Sequence, residues 1–214
     1  MVEIVNLGHA CFLIKTEETT LLIDPYKDGS VPNLTMPIIK VNHVFTSHQH
    51  SDHNAIENVI NLPSEHYLKY QTIQVPHDHH SGSKRGLNLI HIFYLDNLKI
   101  LHLGDTGCVP DKNVLDQLKD ADVILGPING FFTISATEFA EIINYCKPKV
   151  FIPMHYHRSE NNSGYPDGGQ IKELKKLFPQ YKEVNDFSIK IDDKSSYSGL
   201  VIFTKALQRG MNYD

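Results

Sequence analysis

At 214 residues the chain is long enough for one domain with a sizeable core. Its 41% hydrophobic and 21% charged residues are the balance of a globular protein, which excludes a disordered or fibrous chain. No apolar run approaches the roughly 18 residues of a membrane span, and a net charge of -5 disfavours unguided binding to a phosphate backbone, so nucleic acid is not an expected partner. Three scattered cysteines, Cys11, Cys108 and Cys146, form neither a disulfide framework nor a CxxC metal site and fit a reducing compartment. The opening segment MVEIVNLGHACFLIK has no basic leader before an apolar stretch, so a cytoplasmic location is expected.

Taken in chain order, residues 2 to 5, 10 to 15 and 19 to 24 read as short strands of a meander. Residues 26 to 40 hold two prolines and little periodicity, which predicts a long loop of the kind that rims a site. A short strand HVFT follows, then a histidine cluster, then NAIENVI (54 to 60), read as a helix whose amino end would favour an anion near the cluster. Further on, LNLIHIFY and KILHLG predict a hairpin around Asp96-Asn97. Helix 111 to 119, strand 122 to 126, helix 135 to 146 with a capping box at Ser135 and Glu138, and strand 149 to 153 then alternate. Ile171, Leu174, Leu177 and Phe178 mark a last helix, and FSIKI and SGLVIFTK two closing strands. A meander followed by alternation predicts two sheets flanked by helices, in one domain over residues 1 to 214.

Thirteen histidines, many of them clustered, are the unusual feature of the composition. Each of several apolar runs ends on a side chain able to bind metal: LLI on Asp24, VFTS on His48, QVP on His77, ILHLG on Asp105 and VFIPM on His155. In layered α/β proteins ligands gather beyond the carboxyl ends of strands. The strongest local signal is His48-Gln49-His50-Ser51-Asp52-His53, an HxHxDH pattern whose chance occurrence at this chain's His and Asp frequencies is about 3 in 1000. On an extended chain His48 and His50 face one way, while Asp52 and His53 need the backbone to turn. Imidazole and carboxylate without a nearby thiolate suit Zn, Mn or Fe rather than a closed structural zinc site.

With Gly8-His9-Ala10, LLIDP at 21 to 25, HD at 77 to 78, KRGLN at 84 to 88, HLGDTG at 102 to 107 and PMHY at 153 to 156, the chain resembles the metallo-β-lactamase superfamily. Within it the motifs are similar to the branch of metal-dependent hydrolases that includes ascorbate-6-phosphate lactonase. The resemblance implies a four-layer αββα sandwich with a binuclear site. It gives one ion to His48, His50 and His77 and the other to Asp52, His53 and His155, with Asp105 bridging. His79 and His80 stand close enough to His77 to exchange with it. Asp24 reads as a group that holds a ligand histidine in its working tautomer, or as a buried structural carboxylate. His43, His66, His91, His102 and His157 show no partner spacing and enter no site.

The implied chemistry is hydrolysis of an ester, lactone or phosphoester in a small, anionic or neutral, substrate by a hydroxide bridging two divalent ions, with Zn expected and Mn or Fe as alternatives. The expected catalytic residues are Asp52 and Asp105, which orient the hydroxide, and His9, which lies behind a ligand or on the substrate side, with His9 or a metal-bound water protonating the leaving group. A di-iron redox protein or a non-catalytic metal-binding module are the competing readings. Lys84, Arg85 and Arg158 are positioned in sequence to receive a phosphate or carboxylate or to form structural ion pairs. The loops at 25 to 42 and 157 to 169 would build the substrate pocket.

Overall fold

The computed structural model describes residues 1–158, 162–165, 170–192 and 197–211. In chain order its elements are β1 (Val2–Gly8), β2 (Cys11–Lys15), β3 (Thr20–Ile23), β4 (Ile39–Val41), β5 (His43–Phe45), β6 (Val59–Asn61), β7 (Lys69–Pro76), β8 (Leu87–Leu95), β9 (Leu98–His102), α1 (Lys112–Leu118), β10 (Val123–Pro127), α2 (Ala136–Cys146), β11 (Val150–Met154), α3 (Ile171–Leu177), β12 (Tyr181–Val184), β13 (Ser188–Ile191) and β14 (Gly199–Phe203). Five strands pair in the order β13-β1-β2-β3-β5 and seven in the order β12-β14-β11-β10-β9-β8-β7, while β4 and β6 make a separate parallel pair.

Alternation along the strands sorts the core into layers. Ile4, Phe12, Ile14 and Ile23 of the first sheet meet Phe93, Ile100, Leu125 and Ile152 of the second. The opposite face of the seven-stranded sheet, including Ile92, Leu101 and Ile124, packs on Leu115, Phe139, Ile143 and Leu174 from α1, α2 and α3. On the outer face of the five-stranded sheet, Val5, Leu13 and Leu22 are covered by Tyr26, Val31, Leu34 and Met36, together with Leu207. The sandwich is therefore α-β-β layered, and its fourth layer is the proline-containing segment after β3 in place of a helix. Among the described residues no helix is long and apolar enough to cross a membrane.

Strand direction sets the position of the site. β3 runs parallel to β5, and β1 runs the same way because both pair antiparallel with β2. β9, β10 and β11 are parallel, and β7 runs with them through antiparallel pairing to β8. The carboxyl ends of seven strands thus collect at one edge of the two sheets. That edge is tied across by His155 N donating to the His9 carbonyl (3.1 Å) and Leu89 N donating to the Ser47 carbonyl (2.9 Å).

The hairpin between β8 and β9 turns at Asp96 and Asn97, both with left-handed φ (47° and 64°), the geometry that two-residue hairpin turns require. Helix α2 begins with the expected capping box: Ser135 Oγ accepts from Glu138 N (3.2 Å), and the Glu138 carboxylate accepts from Ser135 N (2.8 Å). Ser135→Ala should cost about 1 kcal/mol in chemical denaturation. Metal content should stay unchanged, because the cap lies outside the site.

Two readings of the sequence need correction. NAIENVI is not a helix: only Ile56–Asn58 makes a single 3-10 turn, after which Val59–Asn61 pairs with β4. No helix amino end therefore lies beneath the histidine cluster. The long loop expected over 26 to 40 also ends in a strand, since Ile39 and Lys40 belong to β4.

Candidate metal centre

The centre is built on a carboxylate. Asp24, at the end of β3, is held against β5 by its own amide, which donates to the Phe45 carbonyl (2.9 Å), and its backbone is left-handed (φ 50°). Its side chain is fully buried and accepts from Ser47 N (2.6 Å), Ser47 Oγ (2.7 Å) and His53 Nδ1 (2.9 Å). Burial alone would raise this carboxyl; His53, His102 and Ser47 outweigh it and hold the group down at about 2. With Nδ1–H donated to Asp24, the Nε2 of His53 faces the opposite way, towards Asp105.

Asp105 sits three residues beyond His102, the last residue of β9. Its amide donates to Asn88 Oδ1 (2.7 Å), and Asn88 in turn donates to the Leu103 carbonyl (2.9 Å). Between them Gly104 has φ +54°, and a Cβ there would collide with Asn88 and Ser47. Asp105 Oδ2 lies 3.1 Å from His155 Nε2, 3.3 Å from His53 Nε2, 3.5 Å from His77 Nε2 and 4.0 Å from His48 Nε2. Around it the ligand atoms form two main sets, and a third grouping of His48, His53 and Asp105 joins them. Of the two, one comprises His48, His50 and His77; the other comprises His9, Asp52, His53 and His155, and each set converges within 4.8 Å.

Several buried polar atoms here have no hydrogen-bond partner: His53 Nε2, both ring nitrogens of His77, Asp105 Oδ1 and His155 Nδ1. Buried polar atoms are normally satisfied, and orphans on converging imidazoles and a carboxylate are what divalent ions would satisfy. The residues present therefore fit the metal that their types suggest. Burial, then His53, pushes His48 down to about 3, and burial likewise lowers His77, so both imidazoles are neutral and able to act as ligands. His53 differs: burial would lower it, but Asp105 and Asp24 on its two sides raise it well above the ordinary value. Asp105 itself is buried, which would raise it, yet His155 and His53 hold it well below the usual carboxylate range.

A cavity of about 330 Å3 opens on the cluster, walled on one side by His50, Asp52, His77, Asp105 and His155 and on the other by Arg85, Phe132 and Tyr165. Of the sequence-predicted residues, the structure brings His48, His50, Asp52, His53, His77, Asp105 and His155 together. His79 and His80 stand outside: both are exposed, and His79 pairs with Glu138 (2.6 Å). His9 is at the cluster but behind it. Its Nε2 is 3.2 Å from Asp52 Oδ2, its ring packs 3.9 Å from that of His155, and it does not line the cavity. Burial, then His155, lowers it to about 4. Its contact is thus with Asp52, and burial favours its neutral form. His9 and His155 share a left-handed φ of 55°, strain stored at the strand ends that carry the site.

Arg158 does not reach the cavity; it is buried and donates to the Phe203 carbonyl (2.9 Å). His91 and His102 are structural ties between the sheets, with Nε2 atoms 3.1 Å from the Thr46 carbonyl and 2.8 Å from the Ala10 carbonyl. Much of the expected rim at 157 to 169 lies outside the described residues, but Tyr165 within it was missed from the sequence. Its hydroxyl is 2.8 Å from the Ser30 carbonyl and 3.2 Å from Asp52 Oδ2. A lone tyrosine in an Asn- and Gly-rich stretch gives no periodic signal.

Comparison with known proteins agrees with this architecture. A metal-dependent hydrolase of the UPF0173 group from Pyrococcus horikoshii is 30% identical over 220 aligned positions, covering 86% of the chain and 95% of that protein. One from Desulforamulus reducens is 29% identical over 189 positions, covering 71% and 82%. A solved structure from Thermotoga maritima, described as a candidate Zn-dependent hydrolase of the metallo-β-lactamase superfamily, superposes with a TM-score of 0.74 at 26% identity, covering 95% of this chain and 98% of that one. Residues 3–155 match the family model described as the beta-lactamase superfamily domain, and the chain therefore belongs to the beta-lactamase superfamily, with the metallo-β-lactamase fold.

Proposed function

We propose that the chain is a metal-dependent hydrolase that holds two divalent ions, Zn with Mn or Fe as alternatives, and cleaves an ester, lactone or phosphoester. His48, His50 and His77 would hold one ion, Asp52, His53 and His155 the other, and Asp105 would lie between them. The observation that carries this reading is Asp105 Oδ2, which stands within 4.0 Å of imidazole nitrogens from both sets. Ions bound there supply Lewis acidity, polarising the bond to be cleaved and making water acidic enough to attack near neutral pH.

The chain's own residues do the rest. Burial would raise the Asp52 carboxyl, but His9 and His53 hold it below the usual range, so it stays an anion at the cavity wall and would orient attacking water by accepting a hydrogen bond at Oδ2 rather than by taking its proton. His9 Nε2 fixes the direction of that oxygen. Burial and then Asp52 raise the Tyr165 phenol, which keeps its proton and shares it between the Ser30 carbonyl and Asp52 Oδ2 at the cavity wall. Phe132, together with the Tyr165 ring 5.5 Å away, limits water on the open side.

Elemental analysis of protein purified without chelators or an oligohistidine tag tests the reading, followed by a panel of lactones, esters, phosphodiesters and thioesters on the same sample. Two equivalents of metal and turnover of one substrate class are expected. Chelation should abolish that turnover and Zn or Mn restore it. Stoichiometric metal without turnover across the panel makes the chain a binding module, and an iron chromophore with redox activity makes it an electron-transfer protein.

A further inference from the structure

The wall of the cavity opposite the ligands carries a cation with an unusual setting. Arg85 ends a tight loop organised around Asp78, whose carboxylate accepts from the backbone amides of His80 (2.7 Å), Gly82 (3.0 Å), Lys84 (3.0 Å) and Arg85 (2.8 Å). The carboxylate nearest in sequence is thereby used on backbone, not on the guanidinium. The same loop is fixed to a ligand, since His77 N donates to the Gly86 carbonyl (3.0 Å). Among the described residues the Arg85 side chain has no acidic partner within 4.0 Å, and its contact is the face of Phe132, 4.5 Å from the ring centroid. A half-buried guanidinium of this kind keeps five donors to offer to an incoming group.

Between Arg85 and the ligand cluster the wall is aromatic. Phe132 lies 5.5 Å from Tyr165 and 6.4 Å from His155, and Tyr165 stacks 6.0 Å from His155. Phe132 is held in this wall because Asn129 Oδ1 accepts from the amides of Phe131 (3.1 Å) and Phe132 (2.9 Å). The cavity therefore has two charged ends joined by a flat apolar side. The two carboxylates that line it, Asp52 and Asp105, do not cancel two divalent ions, and Arg85 adds a further positive charge.

We propose that the substrate is a bifunctional anion. Resting on the hydrolase reading above, its scissile ester, lactone or phosphoester sits at the metal centre. A second oxyanion group, carboxylate or phosphate, is received by Arg85, and a short flat or apolar spacer lies along Phe132 and Tyr165. Planar guanidinium forks bind such groups bidentately, and stacking on Phe132 pre-orients the fork.

The test is calorimetric binding to the Zn-loaded full-length chain at fixed ionic strength. The probes are the dicarboxylates succinate, glutarate and adipate, the matching monocarboxylates, and the ω-phosphono acids of the same lengths. The best bifunctional anion should bind about tenfold or more tighter than the monocarboxylate of equal length, the size of one charge-assisted contact. Arg85→Gln should bring that ratio to about twofold or less, and Arg85→Lys should recover part of it, with metal content and melting temperature equal in all three proteins. The phosphono series tells which oxyanion is preferred, and a preference for either supports the proposal. A wild-type ratio near one overturns it, as does a tenfold ratio that survives in Arg85→Gln. If Arg85→Gln is unstable or loses metal, the wild-type ratio and Arg85→Lys decide. The ratio requires no turnover: an inactive protein with the ratio intact refutes only the hydrolase reading, and an active one without it refutes only this inference.

Discussion

Replacing Asp105 with asparagine is expected to lower turnover by on the order of 10³-fold or more and to reduce bound metal from two equivalents to one or fewer. The effect is large because this oxygen is the point common to both sets of histidines, 3.1 Å from His155 on one side and 3.5 Å from His77 on the other. An amide keeps the size and the backbone hydrogen bond from Asp105 N to Asn88, but it offers one acceptor oxygen where the carboxylate offers two. Elemental analysis and single-substrate kinetics on the same preparation check the result. Full activity with both metals retained would remove Asp105 from the centre.

The second large effect is expected at Asp24. Asp24→Ala leaves the Ser47 amide, the Ser47 hydroxyl and His53 Nδ1 buried without their acceptor, which should cost about 3–5 kcal/mol. Metal affinity should fall roughly 10- to 100-fold, since His53 loses the hydrogen bond that fixes its tautomer. Asp24→Asn separates charge from shape: it can still accept from Ser47, but its NH2 opposes His53 Nδ1–H unless the imidazole changes tautomer. In the metal-free protein the sign of the pH dependence is fixed. The folded-state pKa is lowered from 3.8 to about 2, so the carboxylate's stabilisation is complete above 3.8 and is lost as pH falls through about 2. The difference in denaturation free energy between wild type and Asp24→Ala should narrow by about 2 kcal/mol as pH falls through that window. A difference that stays constant down to pH 2 would assign Asp24 a packing role alone.

What could be read in the sequence follows from how local each signal is. The HxHxDH run carries four candidate ligands within six residues. Asp24, His77, Asp105 and His155 were legible because parallel strands deliver their carboxyl ends to one edge, so a polar residue ending an apolar run is a spatial statement. The capping box of α2 and the Asp96-Asn97 hairpin turn are local chemistry as well. Signals that depend on partners were lost. Val59–Asn61 has the composition of a helix end, but pairing with Ile39–Val41 overrides it. Strand Tyr181–Val184 is exposed at the sheet edge and shows no apolar alternation. The division of labour between Arg85 and Arg158 was equally hidden, because it depends on a loop closed by Asp78 and on a carbonyl 45 residues downstream of Arg158.

Neither sheet carries a complete set of ligands. His48 and His50 follow β5 of the five-stranded sheet while His77 follows β7 of the other, and His9, Asp52 and His53 are completed by His155 at the end of β11. Ions held at this edge would therefore cross-link one sheet to the other, beside the backbone bonds from His155 N to the His9 carbonyl and from Leu89 N to the Ser47 carbonyl, so stripping them should loosen the packing between sheets before it loosens either sheet.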